Sequence, residues 1–265
     1  MVSEAIRRAL ESRGVRIHTG TSISRFDEDT RSAHLTNGSV IEEVDKVLIG
    51  IGRRPRLDGL GLQEAGIDFT PRGVVADDWG RTSVNGIWAV GDITGNTLTT
   101  HGANAIGRRT VRAIAMPKLP KTGAVRAMAN AVFSRPQIAS VGLTMDGLAE
   151  RAQVGRTRYS VQLADIDRGY TDDIEHGFVA VDVERFSGKV LRAAIVGPAA
   201  AELIGIFTLM IDHGIGLRKV FGMVHPYPAY SQAIGQLADD FARETYPSLP
   251  KEWFAMMRGR LKNRF

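Results

Sequence analysis

Apolar positions in the first part of the chain recur at helical spacing: Ala5, Ile6, Ala9 and Leu10 share one face of a helix predicted over residues 3–13, and Gly14 ends it. Short extended segments are expected at 15–17, 21–27 and 32–36. Asn37-Gly38 is a strong hairpin turn, which makes 32–44 a β-hairpin. Lys46 to Gly50 then holds a continuous apolar run, the pattern of a strand buried on both faces of a parallel sheet. A further strand is expected at 73–76. After the Asn85-Gly86 turn, Ile87 to Val90 reads as a short apolar strand that stops at Gly91-Asp92, and a helix follows over about 103–115. The Pro-rich stretch Met116-Pro117-Lys118-Leu119-Pro120 marks a boundary.

Beyond that boundary the pattern changes to alternation. Strands are expected at 156–163, 177–184 and 190–196, the last two joined through Ser187-Gly188. The helix predicted over 199–213 carries so little polar surface that it should be buried, either in one subunit or between two. A short helix or strand is expected at 217–223. The first half thus reads as α/β and the second as α+β.

Composition narrows the chemistry. With 265 residues, 43% of them hydrophobic, the chain can bury a sizeable core in about two domains. It has no cysteine, which excludes disulfides, thiolate metal sites and a cysteine nucleophile within this sequence. The net charge of +5 is concentrated at the end, where Lys251 to Phe265 holds five Lys or Arg against one Glu; this reads as a solvated basic helical tail. No RNA-binding signature accompanies it, so no nucleic-acid partner is expected. The start of the chain, with Glu4, Arg7 and Arg8, is not a signal peptide, and the most apolar stretch, Ala199 to Ile211, contains Glu202 and falls short of the ~20 residues a membrane span needs. A soluble, cytoplasmic protein without a membrane partner is the expectation.

Candidate chemistry is sparse. A carboxylate at the end of a strand beside a glycine, as at Gly91-Asp92, can hydrogen-bond a ligand hydroxyl, while the helix N-terminus that follows offers free N–H groups to an anion or a ring edge. The bare Gly-Asp pair is equally suited to capping a turn. His18, His34, His176 and His213 have no partner at metal-ligand spacing and read as structural or surface residues, so no metal site is expected. Adjacent acids such as Asp77-Asp78, Asp172-Asp173 and Asp239-Asp240 read as solvated. No G-x-S-x-G elbow is present. A G-x-G-x-x-G turn is also missing: Gly59-Leu60-Gly61 fails at its third glycine. The chain is therefore expected to start inside a nucleotide-binding domain rather than at its beginning.

Three longer motifs carry a resemblance. Ala89, Gly91, Asp92, His101, Ala103 and Gly107, in that order, resemble the second flavin-binding motif of the pyridine nucleotide-disulfide oxidoreductases, the family of dihydrolipoamide dehydrogenase, glutathione reductase and mercuric reductase. Phe133 to Thr144 resembles the opening of that family's dimerisation domain. His225-Pro226-Tyr227-Pro228-Ala229-Tyr230-Ser231-Gln232 resembles the closing histidine-proline motif, in the H-P-Y-P-x-x-x-E spacing of the mercuric-reductase-like branch, with Gln232 at the carboxylate position. In addition, Ile49 to Pro55 resembles the family's G-R-x-P-N stretch, with Arg56 where asparagine is usual.

The resemblance implies a layout and a set of roles. Residues 1–52 would be the end of an NAD(P)-binding domain, 53–118 the C-terminal part of a Rossmann-like FAD-binding domain, 119–240 an α+β dimerisation domain and 241–265 a basic tail. FAD and NAD(P) would be the cofactors, met at Gly52, Gly91, Asp92, His101 and Ala103. His225 would be the acid–base residue, acting across a homodimer in the partner subunit's site, with Gln232 orienting it by hydrogen bonding but unable to stabilise its charged form. The function implied is the C-terminal portion of an FAD-dependent NAD(P)H oxidoreductase acting on a small-molecule substrate. A non-catalytic dimerisation module, or half of a split flavoenzyme completed by a separate N-terminal chain, stands as the alternative.

Overall fold

The computed structural model describes residues 1–96, 98–116, 127–144, 147 and 155–246. The chain divides into two compact units, one made of Met1–Ile17 with Val125–Phe265 and the other of His18–Ala124. The Pro-rich boundary after Met116 and the basic stretch Lys251 to Phe265 lie outside the described residues.

The first unit is built on a five-stranded antiparallel sheet ordered β6-β7-β10-β9-β8, in which β6 is Asn130–Val132, β7 Gln137–Gly142, β8 Arg156–Gln162, β9 Phe178–Glu184 and β10 Val190–Gly197. Period-2 alternation sorts these strands into two faces. Ala139 and Val141, Tyr159 and Val161, Val179, Val181 and Val183, and Ala193 and Ile195 turn to one side and join the main core. Two helices cover that side. The helix Ala200–Asp212 contributes Leu203, Ile204, Phe207 and Met210, and the helix Gln232–Thr245 contributes Ala233, Ile234, Leu237, Ala238 and Phe241. In chain order these two are α4 and α6; α1 is Val2–Glu11, α2 Thr100–Ala115, α3 Asp167–Thr171 and α5 Leu217–Val220. On the opposite face of the sheet α1 lays Val2 and Ala5 against Phe178, Ala180 and Val196. Farther along that face Asp182 is only 4% exposed, and Arg158 satisfies both of its carboxylate oxygens, through Nε at 3.0 Å and Nη2 at 2.9 Å.

The expected strands at 156–163, 177–184 and 190–196 match β8, β9 and β10 to within a residue or so at each end. The turn joining the last two is shaped by packing as well as by conformation. Gly188 has φ +67°, and a Cβ there would stand 2.8–3.1 Å from the fully buried Phe241 ring. That ring meets Tyr159 edge-on, with centroids 6.1 Å apart. The helix expected at 199–213 is α4, and within the single chain one of its faces packs on the sheet. Glu202, Gly205 and Leu209 stay exposed because a single sheet can cover only one side of a helix.

The second unit contains the hairpin β1–β2–β3 (Ile23–Asp27, Ser32–Leu35, Val40–Ile41), with Asn37-Gly38 at its second turn as expected, and a two-stranded piece, β4 (Phe69–Thr70) with β5 (Gly73–Val74). A small core of Ile67, Val74 and Ala89 lies beneath. Three expected strands differ. Residues 15–17 form none. Ile87 to Val90 reduces to a single bridge between Arg81 and Trp88, supported by the Ala89 N–H donating to Gly80 O. The buried parallel strand at 46–50 is neither a strand nor buried: Leu48 is 97% exposed and Ile51 94%. A parallel strand is stable only with neighbours on its edges and layers on its faces, and no described strand pairs with this run.

Candidate functional site

In the unit His18–Ala124, Gly91 adopts φ +78° and is buried. A Cβ there would come within 3.2 Å of the Ala103 Cβ, so glycine is what lets the turn close onto α2. Gly91–Thr94 forms one 3-10 turn, closed by the Thr94 hydroxyl donating to Gly91 O at 2.9 Å and by Gly95 N–H donating to Asp92 O at 3.0 Å. Gly95, at φ +67°, has no space for a side chain because the Arg72 carbonyl occupies it. This turn holds the Asp92 carboxylate outward, about half exposed, where Arg53 Nη1 approaches Oδ2 at 3.5 Å. Thr99 caps α2, its hydroxyl accepting from Gly102 N–H at 3.3 Å. His101 and Ala103 lie in the first turn of that helix.

Of the residues expected to meet cofactor, Gly91 and Ala103 are brought into contact and Asp92 is presented beside them. Gly52 is exposed at φ +120° with open space around it, and its successor Arg53 carries the ion pair to Asp92. Arg53, Arg54 and Arg72, with Pro55, Pro71, Gly95 and Leu98, line a concavity of about 510 Å³. Sequence reading missed this cluster because Arg72 reaches it from the β4–β5 turn; the run Arg53-Arg54 was its one visible signal. A hydroxyl-accepting carboxylate paired with Arg53, itself one of three arginines lining the concavity, suits a ligand bearing both hydroxyls and phosphates, and a flavin dinucleotide has both.

The second cluster belongs to the unit Met1–Ile17 with Val125–Phe265. The segment 222–231 connects α5 to α6 and carries the histidine-proline motif. The His225 ring lies over Gly235 of α6; a Cβ there would stand 3.2 Å from Cδ2 and 3.3 Å from Nε2. Both ring nitrogens are shielded from solvent and have no hydrogen-bond partner among the described residues. Gln232 does not engage the ring. Its Oε1 accepts from Ala229 N–H at 3.2 Å, so the carboxamide closes the turn into α6.

Two tyrosines of the motif reach carboxylates around α3. The Tyr230 hydroxyl donates to Asp172 Oδ2 at 2.6 Å, and Arg168 Nε donates to the same oxygen at 2.8 Å. Burial, and then the Asp172 carboxylate, pushes the Tyr230 phenol up to about 12. The Tyr230 hydroxyl, and after it Arg168, holds the Asp172 carboxyl below the ordinary value. The Asp167 carboxylate raises the phenol of the exposed Tyr227. Asp172 read as merely solvated in the sequence; the spacing of Tyr227 and Tyr230 gives no sign of their partners.

Among the described residues no group of three or more His, Cys, Asp or Glu could hold a metal ion, and no helix is long and apolar enough to cross a membrane. Comparison with known proteins supplies the family. Residues 1–110 match the profile described as pyridine nucleotide-disulphide oxidoreductase, and residues 128–238 match that of the same family's dimerisation domain. The chain belongs to the pyridine nucleotide-disulphide oxidoreductases. Within this family it is similar to dihydrolipoyl dehydrogenase of Chlamydia pneumoniae, 31% identical over 232 residues that cover 87% of this chain and 50% of that protein. It is also similar to dihydrolipoyl dehydrogenase of Chlorobaculum tepidum, 32% identical over 248 residues that cover 90% and 52%. Among solved structures, LpdA from Mycobacterium tuberculosis superposes with a TM-score of 0.79 at 26% identity, covering 89% of this chain and 51% of that one. The flavoprotein disulfide reductase RclA from Escherichia coli shares the fold, with a TM-score of 0.79 at 23% identity over 89% of this chain and 54% of its own. The chain spans about half the length of the curated relatives it matches.

Proposed function

We propose that this chain is the C-terminal portion of an FAD-dependent NAD(P)H oxidoreductase of the dihydrolipoamide dehydrogenase or mercuric reductase type, working as a homodimer on a small-molecule substrate. The observation that carries this reading is the Gly91-Asp92 turn, folded against Ala103 and opening on the arginine-lined concavity. Bound flavin would supply hydride acceptance from the pyridine nucleotide. The residues of this chain would bind and orient: Asp92 accepts a hydrogen bond from a ligand hydroxyl, Arg53 and Arg72 face its phosphates, the α2 N-terminus with His101 and Ala103 meets the ring edge, and Gly52 leaves room for the pyridine nucleotide. His225 would exchange protons in the partner subunit's site.

In this reading residues 1–52 close the NAD(P)-binding domain, 53–118 the FAD domain, and 119–240 form the dimerisation domain. The exposed run through Leu48 and Ile51 supports a second reading, in which the chain pairs with a separate N-terminal polypeptide or serves as a dimerisation module.

The experiment is an FAD titration of the purified chain, read by quenching of its tryptophan emission (Trp79 and Trp88 lie in the same unit as Asp92) and by a visible flavin band that survives desalting. Saturable quenching that Asp92→Ala weakens about tenfold, as loss of one charge-assisted hydrogen bond does, is the expected result. No binding to the chain alone would sink the first reading and leave the second.

A further inference from the structure

Gly235 lies inside α6, where glycine weakens a helix relative to alanine and no positive φ calls for it. What fills the space above it is the His225 ring, close enough that a Cβ would press on Cδ2 and Nε2. The flanks of the same segment are tied down independently. Tyr230 bonds Asp172 together with Arg168, and Gln232 closes the turn on Ala229 N–H. These ties come from α3 and its C-cap on one side and from α6 on the other, and none of them touches the imidazole.

We infer that Gly235, and Asp172 acting through Tyr230, are positioning residues that seat the His225 imidazole on α6 with both nitrogens unengaged. The seat fixes the plane of the ring without using its hydrogen-bonding capacity, since neither nitrogen has a partner among the described residues. An unpaired buried nitrogen is unfavourable, so the arrangement persists only because the surrounding ties over-determine it. That capacity is kept for a group from outside the described residues. Its use as acid–base machinery rests on the function proposed above; the seat itself does not.

The test is the rate of carbethoxylation by diethyl pyrocarbonate at each histidine of the full chain, resolved by peptide mass spectrometry, with exposed His18 and His213 as internal standards. In the native chain His225 should react more slowly than both. Gly235→Ala should speed its reaction by roughly tenfold, as release from a locally closed state does, while the thermal midpoint holds or rises because alanine is the better helix former. Tyr230→Phe, which removes one hydroxyl, should also speed His225, by a smaller factor. The proposal is overturned if native His225 reacts as fast as His213. It is equally overturned if Gly235→Ala raises the midpoint but leaves the rate at His225 unchanged, making Gly235 a plain helix defect. Should Gly235→Ala fail to fold, an unchanged rate in Tyr230→Phe decides against it. Because the readout needs neither flavin nor turnover, a failure of FAD binding leaves this result standing, and the reverse.

Discussion

Tyr230 and Asp172 share one short hydrogen bond, and each alters the other's titration in the direction that protects it. The Asp172 carboxyl is held below its ordinary 3.8, so its contribution to stability is present above that value and lost as pH falls through the lowered one. The Tyr230 phenol, raised from 10.0 to about 12, contributes stability fully present below 10.0 and lost as pH rises through about 12. The thermal midpoint of the wild type should therefore exceed that of Asp172→Asn across neutral pH, and the gap should close as the pH is lowered below the ordinary carboxylate value. A gap that persists unchanged to low pH would mean that the carboxylate is not what holds Tyr230. At this scale the sequence misled in one respect. The resemblance implied that Gln232 orients His225, whereas the carboxamide is taken by Ala229 N–H, a partner from the same turn.

At the scale of elements, the antiparallel sheet was readable because each strand carries its own alternation, with Val179, Val181 and Val183 against Phe178, Ala180 and Asp182. The run at Lys46 to Gly50 was not, because a continuous apolar strand owes its state to neighbours, and the described residues provide none. Helix α4 falls between these cases. Its existence and limits were plain, and within the single chain Leu203 is buried in the core while Leu209 is 56% exposed. A matched pair separates the two faces. Leu203→Asp should unfold the unit, since an unpaired charge in an apolar core costs several kcal/mol or more. Leu209→Asp should change the unfolding free energy measured in urea by no more than about 0.5 kcal/mol. Equal effects at both positions would mean that the outer face of α4 is covered as well.

For the whole molecule, apolar surface left open is the dominant feature of the unit His18–Ala124. Leu48, Ile49 and Ile51 are exposed in one segment, and Val111 and Ile114 on α2. A contiguous open run of this kind is an association hazard. Replacing Leu48 and Ile51 together by lysine should raise the concentration at which the chain stays monodisperse by light scattering, with the thermal midpoint unchanged because neither side chain is packed. A loss of midpoint would show that the run is packed after all.

The unit that contains β6–β10 is stitched from both ends of the chain, with His18–Ala124 inserted between its parts. Val2 and Ala5 of α1 find their seats on Phe178, Ala180 and Val196, and the Gly188 turn receives Phe241 from the far end of α6. During synthesis, the seat of α1 on Phe178, Ala180 and Val196 therefore exists only once β9 and β10 have emerged, and the hairpin they form waits in turn for Phe241. The residues His18–Ala124 are all made before then, and the sheet that surrounds their sequence closes last, on the turn of α6 that carries Phe241.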